Sequence, residues 1–153
     1  MEYPFYDVEF ISDLPDDPLF WAGLTNCLVV IDDLWKRASK MSVIADVFKV
    51  YSRKSNFSVF ITSQYFYEGT QESVVIRNNC SHILAMENVA NPSYSITKNP
   101  KINKQFKEAS RHAYMKPFGY VLITLSPGLM SSFRVSTNLF SEDKDIPFPQ
   151  FFT

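Results

Sequence analysis

The sequence predicts an α/β protein with a mostly parallel sheet flanked by helices, and two apolar runs with a helical stretch between them carry that expectation. The first, Cys27-Leu28-Val29-Val30-Ile31, is rich in β-branched residues and ends in two carboxylates, Asp32 and Asp33. Such a run suits a strand buried on both faces of a parallel sheet. The second, from Phe57 to Gln64, reads Phe-Ser-Val-Phe-Ile-Thr-Ser-Gln. Strand, helix, strand with polar residues at both strand ends is a parallel unit whose chemistry lies at one edge.

Taken in order, Met1 to Gly23 is rich in acids, aromatics and proline, with a short strand expected at Val8 to Ile11 and a turn at Leu14 to Asp17. Leu19, Phe20 and Trp21 are expected to fold back onto the core. Ser39 is placed to cap a helix in which Met41, Ile44, Ala45, Phe48 and Tyr51 recur at helical spacing, ending near Lys54. Gly69 marks a turn, and Gln71 to Asn78 forms a short helix or loop that carries Arg77. His82 to Met86 is a third strand, followed by a polar turn at Glu87 to Pro92. Pro100 opens an amphipathic helix with Ile102, Phe106, Ala109 and Ala113 on one side and Lys101, Lys104, Lys107 and Arg111 on the other. Gly119 to Leu125 is a fourth buried strand and Phe133 to Asn138 an edge strand. In domain terms this gives an acidic leader at 1–25, one domain at 26–140 and an extended Pro- and Phe-rich tail at 141–153.

The 153 residues and 46% hydrophobic content are enough for a sizeable core. A net charge of −1 hides an asymmetry. No Lys or Arg precedes Lys36, while eight acids do; the rest of the chain holds all 15 basic residues and the other eight acids, a balance of +7. A basic body behind an acidic leader permits contact with a polyanion. Cys27 and Cys80 sit in or beside apolar runs and suit small core residues in a reducing compartment. Neither a secretory leader nor the ~20 apolar residues of a membrane span can be drawn. The chain is expected to be soluble and intracellular.

An acid that emerges from a buried strand at the carboxyl edge of an α/β sheet is well placed to hold Mg²⁺ beside a nucleotide phosphate, the Walker B pattern. An apolar run ending in Asp is also common wherever a strand meets a polar loop, so the second run matters to the case. Nucleotide hydrolysis needs a phosphate cradle, a metal site, a residue that positions water and a charge that stabilises the transferring phosphate. Asp32 is the metal candidate, Asp33 the group that orients or deprotonates water, and Gln64 the γ-phosphate sensor or a second water-orienting group. Arg77, ahead of Arg53 and Arg134, is the candidate arginine finger. The cradle is missing: none of Gly23, Gly69, Gly119 and Gly128 precedes a Lys, so no G-x-x-x-x-G-K-[ST] can be drawn. There is no G-x-S-x-G and no metal-spaced Cys/His cluster, and His82 and His112 are isolated.

The stretches LPDDPLFWAGLTNCLVVIDDLW, NFSVFITSQYFYEG, VVIRNNCSHILAM, KPFGYVLITLSPG and FRVSTNLF occur in an order and spacing that resemble the FtsK/HerA-type packaging ATPases of Polinton (Maverick) transposons, adenovirus-like elements and large DNA viruses. The resemblance runs from Leu14 to about Phe140. It implies a partial P-loop NTPase core of the RecA-like ASCE class, ATP and Mg²⁺ as cofactors, a ring homo-oligomer and double-stranded DNA as the translocated partner. By matching motif, Asp32 and Asp33 take the Walker B roles, Gln64 the sensor role and Arg77 the finger role. Members of that family carry Walker A upstream of the position of Met1, so this chain resembles the carboxyl-terminal half of one, without the Walker A strand and loop. It would hydrolyse ATP only with an upstream Walker A half or partner chain. The basic stripe Lys101, Lys104, Lys107 and Arg111 is the candidate DNA contact, with a solvated face as its plain alternative. The alternative for the whole is a truncated, inactive relic acting as an interaction module or subunit.

Overall fold

The computed structural model describes residues 7–64, 69–87, 99–139 and 149–153. The chain divides into two compact units, Met1–Asn79 and Cys80–Thr153, and the 26–140 segment expected as one domain contributes to both. The Glu87 to Pro92 turn falls largely outside the described residues, as does the acidic start of the tail.

In the first unit Asp17 caps α1 (Pro18–Gly23): its carboxylate accepts the Leu19 N–H at 2.8 Å, and Pro18 stands where no helical N–H is needed. Trp21, 1% exposed, donates its indole N–H to the Pro15 carbonyl at 2.9 Å, and Phe20 meets it edge-on. Leu19 does not fold back with them and is 77% exposed. At 3.6 residues per turn, positions 19 and 21 point about 200° apart and cannot share one buried face. Nor do Val8 to Ile11 form a strand; Val8, Phe10 and Ile11 are exposed.

β1 (Leu28–Ile31) pairs in parallel with β2 (Ser58–Ile61), Leu28 beside Ser58 and Ile31 beside Ile61. Between them run α2 (Trp35–Ala38), α3 (Ser42–Asp46), a π-helical turn at Val47–Tyr51 and α4 (Ser52–Lys54). Helix therefore begins earlier than the periodicity from Met41 suggests, because Trp35 and Ala38 are themselves buried. Ser39 closes α2 instead of capping α3, which starts after Met41 with no side-chain cap. Thr70 caps α5 (Gln71–Asn79): its hydroxyl accepts the Ser73 N–H at 3.1 Å and donates to the Ser39 carbonyl. α5 packs on α3 and the π turn, so the core gathers Ile44, Val47, Phe48 and Ile76 with Trp21, Trp35 and Ile31.

A symmetric clasp sets the register of the parallel pair. Asn26 and Asn56, one residue before Cys27 and Phe57, both adopt left-handed backbone (φ 51° and 53°). The Asn26 N–H donates to the Asn56 carbonyl at 3.1 Å, and the Asn56 side-chain amide donates to the Asn26 side-chain oxygen at 2.7 Å. Asparagine tolerates this conformation where a residue with an ordinary side chain pays ~1–2 kcal/mol. Asn56→Ala should therefore destabilise the chain by about 2 kcal/mol, combining backbone strain with the lost hydrogen bond. Asn56→Gly should cost distinctly less. Urea unfolding of the two variants checks both values.

In the second unit β3 (His82–Met86), β4 (Tyr120–Thr124), β5 (Val135–Thr137) and β6 (Gln150–Phe151) form an antiparallel sheet in that order. The single, mostly parallel sheet expected from the sequence is thus replaced by a two-stranded parallel sheet and a four-stranded antiparallel one. Apolar runs alone do not fix the sense of pairing, which depends on the path of the chain between the strands. His82–Met86 and Tyr120–Thr124 are nearly continuous apolar runs, which suggests cover on both faces, but within them only Ala85, Val121 and Ile123 are buried while Leu84 and Met86 stay exposed. One covered face is the antiparallel habit. β5 is not an edge, since β6 pairs beyond it. Helix α6 (Pro100–Ala113), capped by Asn99, supplies Ile102, Phe106, Ala109 and Ala113 to the same core.

Candidate functional site

Asp32 and Asp33 follow β1 directly, and Thr62, Ser63 and Gln64 follow β2. In parallel strands of matched register those carboxyl ends must lie side by side. The five residues line one open cavity of about 280 Å³. The expectation that Asp32 and Gln64 share one end of the sheet is met by this arrangement.

Thr62 ties the two strand ends together. Its backbone N–H donates to the Ile31 carbonyl at 3.0 Å, continuing the ladder one step past Ile61. Its hydroxyl donates to Asp32 Oδ1 at 2.7 Å and accepts the Asp33 N–H at 2.9 Å. Asp33 adopts left-handed backbone, φ 53°, at the point where the chain leaves the strand. Asp32, Asp33 and Gln64 are all exposed to solvent.

The donors here are two carboxylates, two hydroxyls and a side-chain amide, all hard oxygen ligands except the amide nitrogen. Among the described residues no group of three or more His, Cys, Asp or Glu stands ready to enclose a metal ion. That set fits Mg²⁺, which binds through one or two carboxylates and keeps water and phosphate oxygens for its remaining positions. It does not fit a zinc or calcium cage.

Arg77 lies on α5 in the same unit, but not in the cavity wall. Its guanidinium donates to the Ser73 hydroxyl at 3.1 Å, one turn back on its own helix. Of the other arginines considered, Arg53 is exposed at the end of α4 and Arg134 donates to the Thr124 carbonyl at 3.3 Å.

In the second unit Lys101, Lys104, Lys107 and Arg111 are exposed on α6, opposite the buried Ile102, Phe106 and Ala109. The stripe is less purely basic than its spacing suggests. Exposed Glu108 lies one turn after Lys104 on the same side, and the Lys101 ammonium donates to the Ser131 hydroxyl at 3.0 Å. Gln105 reaches the same short turn, its amide donating to the Ser131 carbonyl at 3.2 Å. Lys104, Lys107 and Arg111 are the better phosphate candidates.

Thr62 is the site residue that residue-by-residue reading of the sequence misses. A signal for it exists. Asn26 and Asn56 precede two apolar runs of equal length, and sliding one onto the other by 30 residues sets Thr62 beside Asp32.

Comparison with protein-family models, curated proteins and solved structures returned no match. Among the described residues no helix is long and apolar enough to cross a membrane. Neither cysteine forms a disulfide.

Proposed function

We propose that this chain is the Walker B half of an ATP-driven double-stranded DNA packaging motor, working in a ring homo-oligomer with an upstream Walker A half. The observation that carries this reading is the convergence of Asp32, Asp33 and Gln64 at the carboxyl edge of one parallel strand pair. Ligands of open α/β sheets bind at that edge. Asp32 would hold Mg²⁺, which when bound neutralises developing phosphate charge. Asp33 orients or deprotonates the attacking water, and Gln64 hydrogen-bonds the same water or the γ-phosphate. Arg77 acts as a finger only once its guanidinium leaves Ser73.

The exposed face of the parallel pair adds support. Leu28, Val30 and Phe60 are 64%, 57% and 50% exposed. Parallel sheets are ordinarily covered on both faces, and two strands alone are marginal. A further layer belongs there in the assembled protein.

The test has two arms. Calorimetric titration of the chain alone with Mg-ATP should show no measurable binding at millimolar nucleotide, since no cradle of backbone N–H groups with its Lys is present. Adding an upstream polypeptide that carries Gly-Lys-Ser/Thr should restore hydrolysis. Micromolar affinity in the first arm, or no hydrolysis in the second, contradicts the proposal. The missing cradle also favours the second reading, an inactive interaction module, and a silent second arm would select it.

DNA contact is read through salt. Replacing Lys104 and Lys107 together by Ala in the assembled protein should weaken binding to all duplex sequences alike. It should also flatten the slope of log affinity against log salt by roughly two units, about 0.9 for each phosphate released. Affinity and slope both unchanged would mark the stripe as a solvated face.

A further inference from the structure

The Thr62 hydroxyl has one proton to give, and its partners leave a single way to use it. The Asp33 N–H is itself a donor, so the hydroxyl must accept there and send its own hydrogen to Asp32. One carboxylate oxygen of Asp32 thereby accepts a hydrogen bond from Thr62, and the same carboxylate lines the cavity. The second bond, from the Asp33 N–H to the same hydroxyl, tethers Asp33 at a left-handed backbone conformation that a non-glycine residue adopts only at a cost. One side chain on the neighbouring strand thus sets both acids. The backbone bond from the Thr62 N–H to the Ile31 carbonyl fixes where that side chain stands.

We infer that Thr62 is a positioning residue of this site: its hydroxyl orients Asp32 toward a divalent cation and fixes the backbone turn that presents Asp33. The inference rests on the reading of Asp32 as the cation-holding group. It extends the site to a residue that acts through Asp32 and Asp33, and it makes the hydroxyl, not the bulk of the side chain, the functional part.

The test uses the whole chain, ¹⁵N-labelled, with Mn²⁺ as the probe, because Mn²⁺ shares the oxygen preference of Mg²⁺ and broadens nearby amide signals. Thr62→Val keeps the shape and β-branching and removes the hydroxyl; Thr62→Ser keeps the hydroxyl. Loss of an outer partner of a metal ligand typically lowers affinity 10- to 100-fold, so Thr62→Val should raise the half-saturating Mn²⁺ concentration by about tenfold. Thr62→Ser should stay within about twofold of the parent. Hydrogen exchange at the Asp33 amide should quicken in the Val variant and not in the Ser variant. Should Thr62→Val fail to fold, Thr62→Ala lacks the same hydroxyl and must give the same Mn²⁺ result. Asp32→Asn separates the inference from the reading beneath it. Broadening lost in Asp32→Asn but unchanged in Thr62→Val overturns the role of Thr62 alone. Broadening equal to the parent in Asp32→Asn, or no saturable broadening in the parent chain, overturns the cation assignment and the inference with it.

Discussion

Asp33→Asn is expected to lower ATP turnover at least ~10²-fold in an assembly that supplies the Walker A half, the scale for losing one well-placed transition-state group. The structure decides which substitution reports this cleanly. Asp33 sits at φ 53°, so Ala at that position would add ~1–2 kcal/mol of backbone strain to any chemical effect. Asparagine tolerates the left-handed region and retains the N–H that donates to Thr62, and it removes only the charge. The melting temperature of the Asn variant should match the parent while its turnover falls. Turnover equal to the parent would pass the water-positioning role to Gln64, whose own replacement by Ala would then carry the loss.

Gly119→Ala should be strongly destabilising in the second unit. After α6 the chain reverses over a few residues, with the Lys116 N–H on the Ala113 carbonyl at 3.2 Å and the Gly119 N–H on the Lys116 carbonyl at 3.1 Å. A Cβ at 119 would stand 1.8 Å from the Ala113 carbonyl oxygen and 2.6 Å from its carbon. Those are backbone atoms of a buried residue at the end of α6, so no flexible side chain can swing aside. Either the end of the helix or the start of β4 has to move. Overpacking of this kind costs about 3 kcal/mol, which in a chain of this size lowers the melting temperature by roughly 10 °C. Gly23→Ala, where nothing lies within 4 Å of the added carbon, is the control and should leave melting unchanged. Equal melting of both variants would show that the turn relaxes without cost.

Much of the local structure was legible because it depends on neighbours in sequence. The two apolar runs became β1 and β2, Pro100 starts α6, and alternation within α6 separates its basic face from its buried one. The carboxylates at a strand end and the polar Gln64 at the next strand end were legible for the same reason. Once a parallel pair is granted, its carboxyl ends coincide and the three side chains line one cavity. Periodicity is silent on what pairs with what. Apolar runs such as His82–Met86 and Tyr120–Thr124 read alike whether a strand is covered on two faces or on one, and the sense of pairing depends on the path of the chain between them. Only the tertiary structure decided that these strands run antiparallel, that β6 covers the edge of β5, and that Ser131 engages Lys101 at one end of the basic stripe. It decided the role of Thr62 as well. A hydroxyl 30 positions from Asp32 acts on that acid only through lateral register, and register is a property of two strands held side by side, which no single stretch of sequence contains.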